Sequence, residues 1–287
     1  MADDTPVPLD TSALRVDPEH VVLDEALAGS TRGFAGDKDA GKAALAALGD
    51  ELADLQERLW ANRTTGSQRR LLLVLQGMDT SGKGGVIRKT LGLVDPQGLQ
   101  ITSFKAPTPE ELAHDFLWRI RSRVPTPGHI GVFDRSHYED VLIARVRGLA
   151  PAAELERRYG AINDFEAELA DSGVVLLKCM LHVSSAVQRE RLQERLDNPE
   201  KHWKYEPGDL DERELWPAYR EAYETALRRT HTDAAPWHVV PADHKWYRNL
   251  AVGQLLLEVL RGLDLGWPTA DFDVEAEKAR LAATVVR

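Results

Sequence analysis

The residues that first suggest chemistry are Gly77-Met-Asp-Thr-Ser-Gly82-Lys83, a GxxxxGK string. Glycines let a backbone wrap closely round a phosphate, successive N–H groups point inward, and a helix starting at the loop's end adds positive potential. Lys83 supplies a mobile cation for a phosphoryl group in transfer. The string alone is weak evidence, since average residue frequencies produce it in a chain of this length roughly one time in ten. Its position is more telling. RLLLVLQ (70–76) before it is a continuous apolar run, as a strand buried on both faces requires, and VIRKTLGLV after it reads as a helix. Gly77, Asp79, Thr80, Ser81, Gly82, Lys83, Gly84 and Gly85 are therefore the expected phosphate-binding loop.

One position departs from the usual pattern. Where a Ser or Thr hydroxyl normally ligates Mg²⁺, this chain has Gly84. A metal needs another ligand, and Asp79 inside the loop is the expected one; the alternative is an Asp that makes only turn hydrogen bonds. HIGVFDR (129–135) reads as a strand that brings Asp134 to its end. An acid there can hold the same Mg²⁺ (or Mn²⁺) and can orient or deprotonate an attacking oxygen; the alternative is a helix cap. Arg135, beside it, can neutralise phosphate oxygens through two-pronged contacts. The helix after Asp134, carrying Tyr138, Glu139 and Asp140, lies where it could tell acceptors of different length apart.

Downstream, QRERLQERLDNPEKHWKYEPGDLDER gathers Arg189, Arg191, Arg195, Lys201 and Lys204. Arg191 and Arg195 are four apart and share a solvent-facing helix side. Pro199 and Pro207 break the helix, and Trp203 and Tyr205 interleave with the charges. The pattern suggests a basic lid over about 191–211 that closes on phosphates and excludes water. The alternative is a solvated helix whose arginines pair with Glu190 and Glu194. RIRSR (119–123) could extend the same basic surface. The expected catalytic set is Lys83, Asp134, Arg135 and Arg191, with Arg195, Lys201 and Lys204 on the phosphates and Asp79 and Asp134 on the metal. His114, His137 and His202 have no metal-ligand spacing and read as packing or polar contacts. Trp60, Trp118, Trp216, Trp237, Trp246 and Trp267 read as core.

These groups need a scaffold. In a chain of 287 residues that is 43% hydrophobic and 29% charged, a sizeable core is expected and global disorder is not. No apolar run approaches the eighteen or so residues that span a bilayer. MADDTPVPLD lacks a basic-then-apolar signal pattern, and the single Cys179 allows neither an internal disulfide nor a CxxC knuckle. A cytoplasmic enzyme with no membrane association is the expectation. The net charge of −10 argues against a nucleic-acid binder, yet a polyanion responds to the local field rather than to the sum.

Residues 1–37, rich in Pro, Asp, Gly and Thr, read as a loosely packed arm. Residues 38–62 carry Leu45, Leu48, Leu52, Leu55 and Leu59 at helical spacing and read as one amphipathic helix. Strands are expected at 70–76, 99–105, 129–135, 174–183 and 237–243. Helices are expected at 109–123, from 138 to 147, and over 152–171, 185–196, 211–230 and 245–263, with a short one in the tail 271–287. Strands alternating with helices argue for an α/β fold, a five-stranded parallel sheet sandwiched by helices. An arm and helical extension (1–62) precede a domain over 63–287.

GMDTSGKGG, FKAPTPEELAHDFLWR, GVFDRSHYEDVL, ERLDNPEKHWKYEPGDLDERELWPAY and APWHVVPADHKWYRN, in this order, resemble the polyphosphate kinase 2 family over about residues 45–265. The resemblance implies a P-loop kinase-like fold, like that of thymidylate kinases, with a helical lid. It implies Asp79 and Lys83 as Walker A residues, Asp134 and Arg135 as Walker B residues, and Arg191, Arg195, Lys201 and Lys204 in the lid. It implies inorganic polyphosphate together with AMP, ADP and ATP as substrates, and a homo-oligomer, dimer or tetramer. HDFLWR and HYEDVL resemble the group, often called class III, that accepts both AMP and ADP. Gly84 is normal for this family, whereas His231 stands where Ser is expected. Two rival readings remain: an ATP-dependent kinase of the same fold, and a nucleotide-binding regulator without catalysis.

Overall fold

The computed structural model describes residues 9–284; residues 1–8 of the arm and 285–287 of the tail lie outside the described residues. Five strands form one wholly parallel sheet: Arg70–Gln76 (β1), Leu99–Ser103 (β2), Ile130–Asp134 (β3), Val174–His182 (β4) and Trp237–Pro241 (β5). Their order is β2-β3-β1-β4-β5, with β1 in the centre. Alternation along β1 supplies two cores. Leu71, Leu73 and Leu75 face Leu52 and Leu59 of Gly49–Ala61 and Leu250 and Leu256 of Lys245–Gly262. Leu72 and Val74 face Ile162 and Phe165 of Ala152–Asp171, with Ala222 and Leu227 of Trp216–Thr230. The five strands and the helices over 152–171, 185–197 and 245–262 follow the hydrophobic pattern to within two residues.

Four expected helices are interrupted, three of them for an evident local reason. Residues 38–62 form Lys38–Ala47 and Gly49–Ala61, broken at Leu48 before a glycine with poor helix propensity. Residues 109–123 form only two turns, Pro109–Leu112 and Trp118–Arg121. Between them Asp115 accepts the Leu117 N–H at 3.0 Å, competing with helix continuation. After Asp134 the chain makes a 3₁₀ turn, His137–Asp140, and a short helix, Ile143–Val146. The span 211–230 divides into Gly208–Glu214 and Trp216–Thr230, just ahead of Pro217, which has no N–H to continue the ladder. The tail does form a helix, Val274–Ala282, with no buried residue. Among the described residues no helix is long and apolar enough to cross a membrane.

The described part of the arm, residues 9–37, is not loosely packed. Leu9, Leu14, Val16, Leu23 and Phe34 are each at most 8% exposed. The Val16 N–H donates to Trp237 O (3.0 Å) and Arg15 bridges His238 in antiparallel sense, so the arm covers the open edge of β5. An uncovered strand edge is a template for unwanted pairing, and covering it is a common solution. Leu9, Leu14 and Phe34 join the same core as Leu71, Leu73 and Leu75. Leu14→Ala should therefore destabilise the protein by about 2–5 kcal/mol, as deletion of a buried leucine usually does, visible as a lower urea midpoint. A midpoint equal to the parent's would mean that this segment does not contribute to folding.

Candidate active site

β1 delivers the chain into the loop at the carboxyl edge of the sheet, where open α/β folds bind ligands. Gly77 (φ 148°) and Gly82 (φ 102°) both lie at positive φ. A Cβ on Gly77 would sit 2.5 Å from Leu181 O, and one on Gly82 only 1.7 Å from the Arg248 guanidinium, so both positions demand glycine. Lys83 opens the helix Lys83–Lys89 and folds back to donate from Nζ to Gly77 O at 2.7 Å. Burial lowers its pKa, and Asp79 opposes that shift. A Cβ on Gly84 would meet nothing, so the absent hydroxyl is not forced by space.

β3 runs beside β1 with Asp134 level with Leu75, so its carboxylate emerges next to the loop. Ser103 Oγ donates to Asp134 Oδ2 at 3.3 Å. Arg135, held at φ 63°, donates from Nη2 to Asp79 Oδ1 at 2.7 Å and ties the two acidic positions together. Burial works against the Arg135 charge, but Glu139 and Asp79 outweigh it and raise its pKa. Of the three residues expected to face an acceptor, only Glu139 reaches this charged group. Burial raises its pKa against the pull of Arg135 and Lys83. The Gln76 amide, oriented so that its oxygen accepts from Ser136, donates to Glu139 Oε1 at 3.0 Å. Tyr138 instead turns into the core, and Asp140 faces Arg119 (3.6 Å) and Arg158 (3.7 Å).

The segment that follows β3 is anchored by a buried network. Tyr138 OH donates to Glu166 Oε1 (2.7 Å), and Lys178 Nζ donates to Glu166 Oε2 (2.6 Å), Tyr138 OH (2.9 Å) and Thr230 O (2.7 Å). Lys178 and Glu166 are wholly buried. A buried lysine with three such bonds joins β3's exit loop to β4 and to the helices Ala152–Asp171 and Trp216–Thr230, and losing one partner would strand the other charge.

The basic residues divide into two groups. Arg191 does not face solvent as its spacing suggested. It is 8% exposed and donates to Thr80 O (2.9 Å), Ala242 O (2.8 Å) and Asp243 O (2.8 Å), because its helix, Ser185–Asp197, packs that side against the loop. Arg195 is only partly buried, bonded to Lys204 O (2.8 Å) and Asp209 Oδ2 (3.1 Å); Lys201 pairs with Glu194. RIRSR lies elsewhere: Arg119 is buried and donates to Lys105 O, and Arg121 pairs with Glu168. His114 stacks on Trp118, His137 contacts Glu166, His202 meets Leu196 O, and His231 Nδ1 accepts the Trp237 N–H. Trp118 (41%) and Trp267 (52%) are more exposed than a core role requires.

Arg248 was not singled out by sequence. It is 3% exposed and donates to Ser81 O (3.2 Å) and Asn249 Oδ1 (2.9 Å), and burial beside Arg191 pushes its pKa down to about 10. The only sequence signal was its place in KWYRN, four residues after the turn that follows β5. Together these groups line a cleft of about 850 Å³ with ten cationic and five acidic side chains. It holds Asp79, Thr80, Gly82, Lys83, Gly84, Gly85, Asp134, Arg135, Arg191, Arg195, Lys201 and Lys204; Gly77 and the buried Ser81 support it from behind. Such a site can seat a run of phosphates and neutralise charge on one in transfer.

Comparison with known proteins agrees with that chemistry. Residues 35–264 match the family model described as Polyphosphate kinase 2. An "AMP/ADP-polyphosphate phosphotransferase" of Meiothermus ruber is 50% identical over 238 residues, covering 83% of this chain and 88% of that protein. An "ADP-polyphosphate phosphotransferase" of Rhodopseudomonas palustris is 41% identical, covering 76% of this chain and 78% of that one. The crystal structure of polyphosphate kinase 2 from Arthrobacter aurescens TC1 superimposes with a TM-score of 0.94 at 53% identity, over 99% of this chain and 100% of that chain. The chain belongs to the polyphosphate kinase 2 family.

Proposed function

We propose that this protein is a polyphosphate:AMP/ADP phosphotransferase, moving phosphoryl groups reversibly between inorganic polyphosphate and adenine nucleotides. The observation that carries this reading is the excess of cations over acids lining the P-loop cleft of a chain whose net charge is −10. A long polyanion needs such a track, whereas a single nucleotide does not. The relative named for both AMP and ADP supports the dual acceptor. The family resemblance is also the ground for a homo-oligomer in the cytoplasm.

In this reading the loop N–H groups and Lys83 cradle the donor phosphate, and Arg135 neutralises the oxygens of the group in transfer. Asp134 orients the attacking oxygen of the acceptor and accepts its proton where one is present. Arg191 holds the loop through Thr80 O, while Arg195, Lys201 and Lys204 bind the chain beyond it. Of their present partners, Glu194 is exposed at the cleft and can be exchanged for phosphate, whereas Asp209 is largely buried against Arg195. A divalent cation, Mg²⁺ or Mn²⁺, held by Asp79 and Asp134, would supply charge neutralisation between donor and acceptor phosphates. Two carboxylates with no third metal-binding side chain beside them, among the described residues, suit Mg²⁺, which keeps several waters and takes its remaining ligands from phosphates.

Two experiments follow. Asp134→Asn keeps the shape and removes the charge, so turnover should fall about 10²- to 10⁴-fold, while Gly84→Ser, which fits the open space there, should remain active; near-normal turnover of Asp134→Asn at saturating Mg²⁺ would contradict its role. The reaction itself is tested by incubating protein, Mg²⁺, long-chain polyphosphate and AMP with an adenylate kinase inhibitor. AMP should fall, ADP should pass through a maximum, and ATP should follow. Product that stops at ADP would leave an AMP-only enzyme, and no product without a nucleoside triphosphate would remove polyphosphate as donor.

A further inference from the structure

A second groove of about 880 Å³ adjoins the P-loop cleft and shares Arg191, Glu194 and Lys245 with it. Its outer wall is the helix Lys38–Ala47, which contributes Lys38 and Lys42, and its end is marked by Lys89, the last residue of the P-loop helix. Lys38 and Lys42 are four apart and lie on one helix side. Leu45, Val187 and Trp246 form an apolar floor. The floor is held in place by close packing: a Cβ on Gly41 would fall 2.2 Å from the Trp246 ring.

Five cations and three acids line the groove. Two of the acids are already engaged, Asp243 by the Ser184 N–H (2.8 Å) and Glu194 by Lys201 and Lys245. Lys38 and Lys89 form no ion pair among the described residues, and Lys42 pairs only with the exposed Asp39 on its own helix. Cations over a low-dielectric floor focus positive potential along the groove. Continuity with the cleft through Arg191 gives that potential a direction: it leads away from the phosphate loop.

We infer that this groove is a distal track for the polyanionic donor, in which Lys38, Lys42 and Lys89 hold phosphate units too far along the chain to touch the phosphate loop. The inference rests on the polyphosphate reading above and deepens it. It gives the N-terminal helix a function beyond packing: setting the preference for long chains over short ones. A donor of a few phosphates ends inside the P-loop cleft and leaves the groove empty; a long one fills both.

The test is a triple variant, Lys38→Gln, Lys42→Gln and Lys89→Gln, at three exposed positions outside the catalytic cleft. The readout is kcat/KM with long-chain polyphosphate against kcat/KM with the shortest polyphosphate that the parent accepts, AMP being saturating. The KM for the long chain should rise roughly tenfold, as expected for three lost exposed ion pairs, with kcat and the short-chain KM unchanged. An unchanged ratio, whether both substrates keep their parental values or both weaken together, would overturn the distal track. A parent that uses no polyphosphate of any length would overturn the functional reading itself.

Discussion

Two buried arginines hold the carbonyl side of the phosphate loop, and most of the site follows from that constraint. Arg191 takes Thr80 O and Arg248 takes Ser81 O. Neither has an ion-pair partner among the described residues, although both are more than nine-tenths buried. A buried guanidinium without a carboxylate is costly, since burial disfavours the charged form, and the depressed pKa of Arg248 expresses that cost. Carbonyl dipoles offset part of it, and an arriving phosphate would offset more. The same arrangement dictates sequence nearby. Gly82 and Gly85 lack a Cβ because the Arg248 guanidinium occupies the space where one would project.

The acidic side of the site is built on the same logic of mutual restraint. Asp79 and Arg135 hold each other at 2.7 Å across the gap between the β1 and β3 loops. The Lys178–Glu166 pair fixes the segment that follows Arg135 from beneath. Charges that are already positioned lose little freedom when substrate binds, which is where preorganised sites gain their advantage. The lid differs: Lys201 is tied to the exposed Glu194, in a contact that a polyanion can replace at small cost, while Arg195 is held by the largely buried Asp209.

The sheet, the strand–loop–helix placement of residues 77–85 and the position of Asp134 at the end of β3 were legible in the sequence because their signals are local. A buried parallel strand is a short apolar run, and the loop is a contiguous string between such a run and a helix. What escaped was non-local. Arg191 and Arg195 look alike at four-residue spacing, and only packing against β5's exit decides that one is buried and the other is not. Arg248 comes from a helix that begins more than 160 residues after the loop it touches, so no spacing rule pointed to it. Three of the four helices that broke did so at a glycine, an Asp turn and a proline, all visible in the sequence but outvoted by the surrounding apolar period. The arm looked loose from its composition, yet five of its apolar residues are buried and its Arg15–Val16 segment covers the edge of β5.

The central claim is that the cleft is an electrostatic seat for an extended polyanion. Equilibrium binding of long-chain polyphosphate and of AMP, each measured across a series of salt concentrations, tests it most directly. Exposed charge interactions are screened over about 8–10 Å at physiological ionic strength, and the single phosphate of AMP is too small to span the cleft's ten cations. The account predicts a steep loss of polyphosphate affinity as salt rises and a shallow loss for AMP. Equal salt dependence for the two ligands would contradict it.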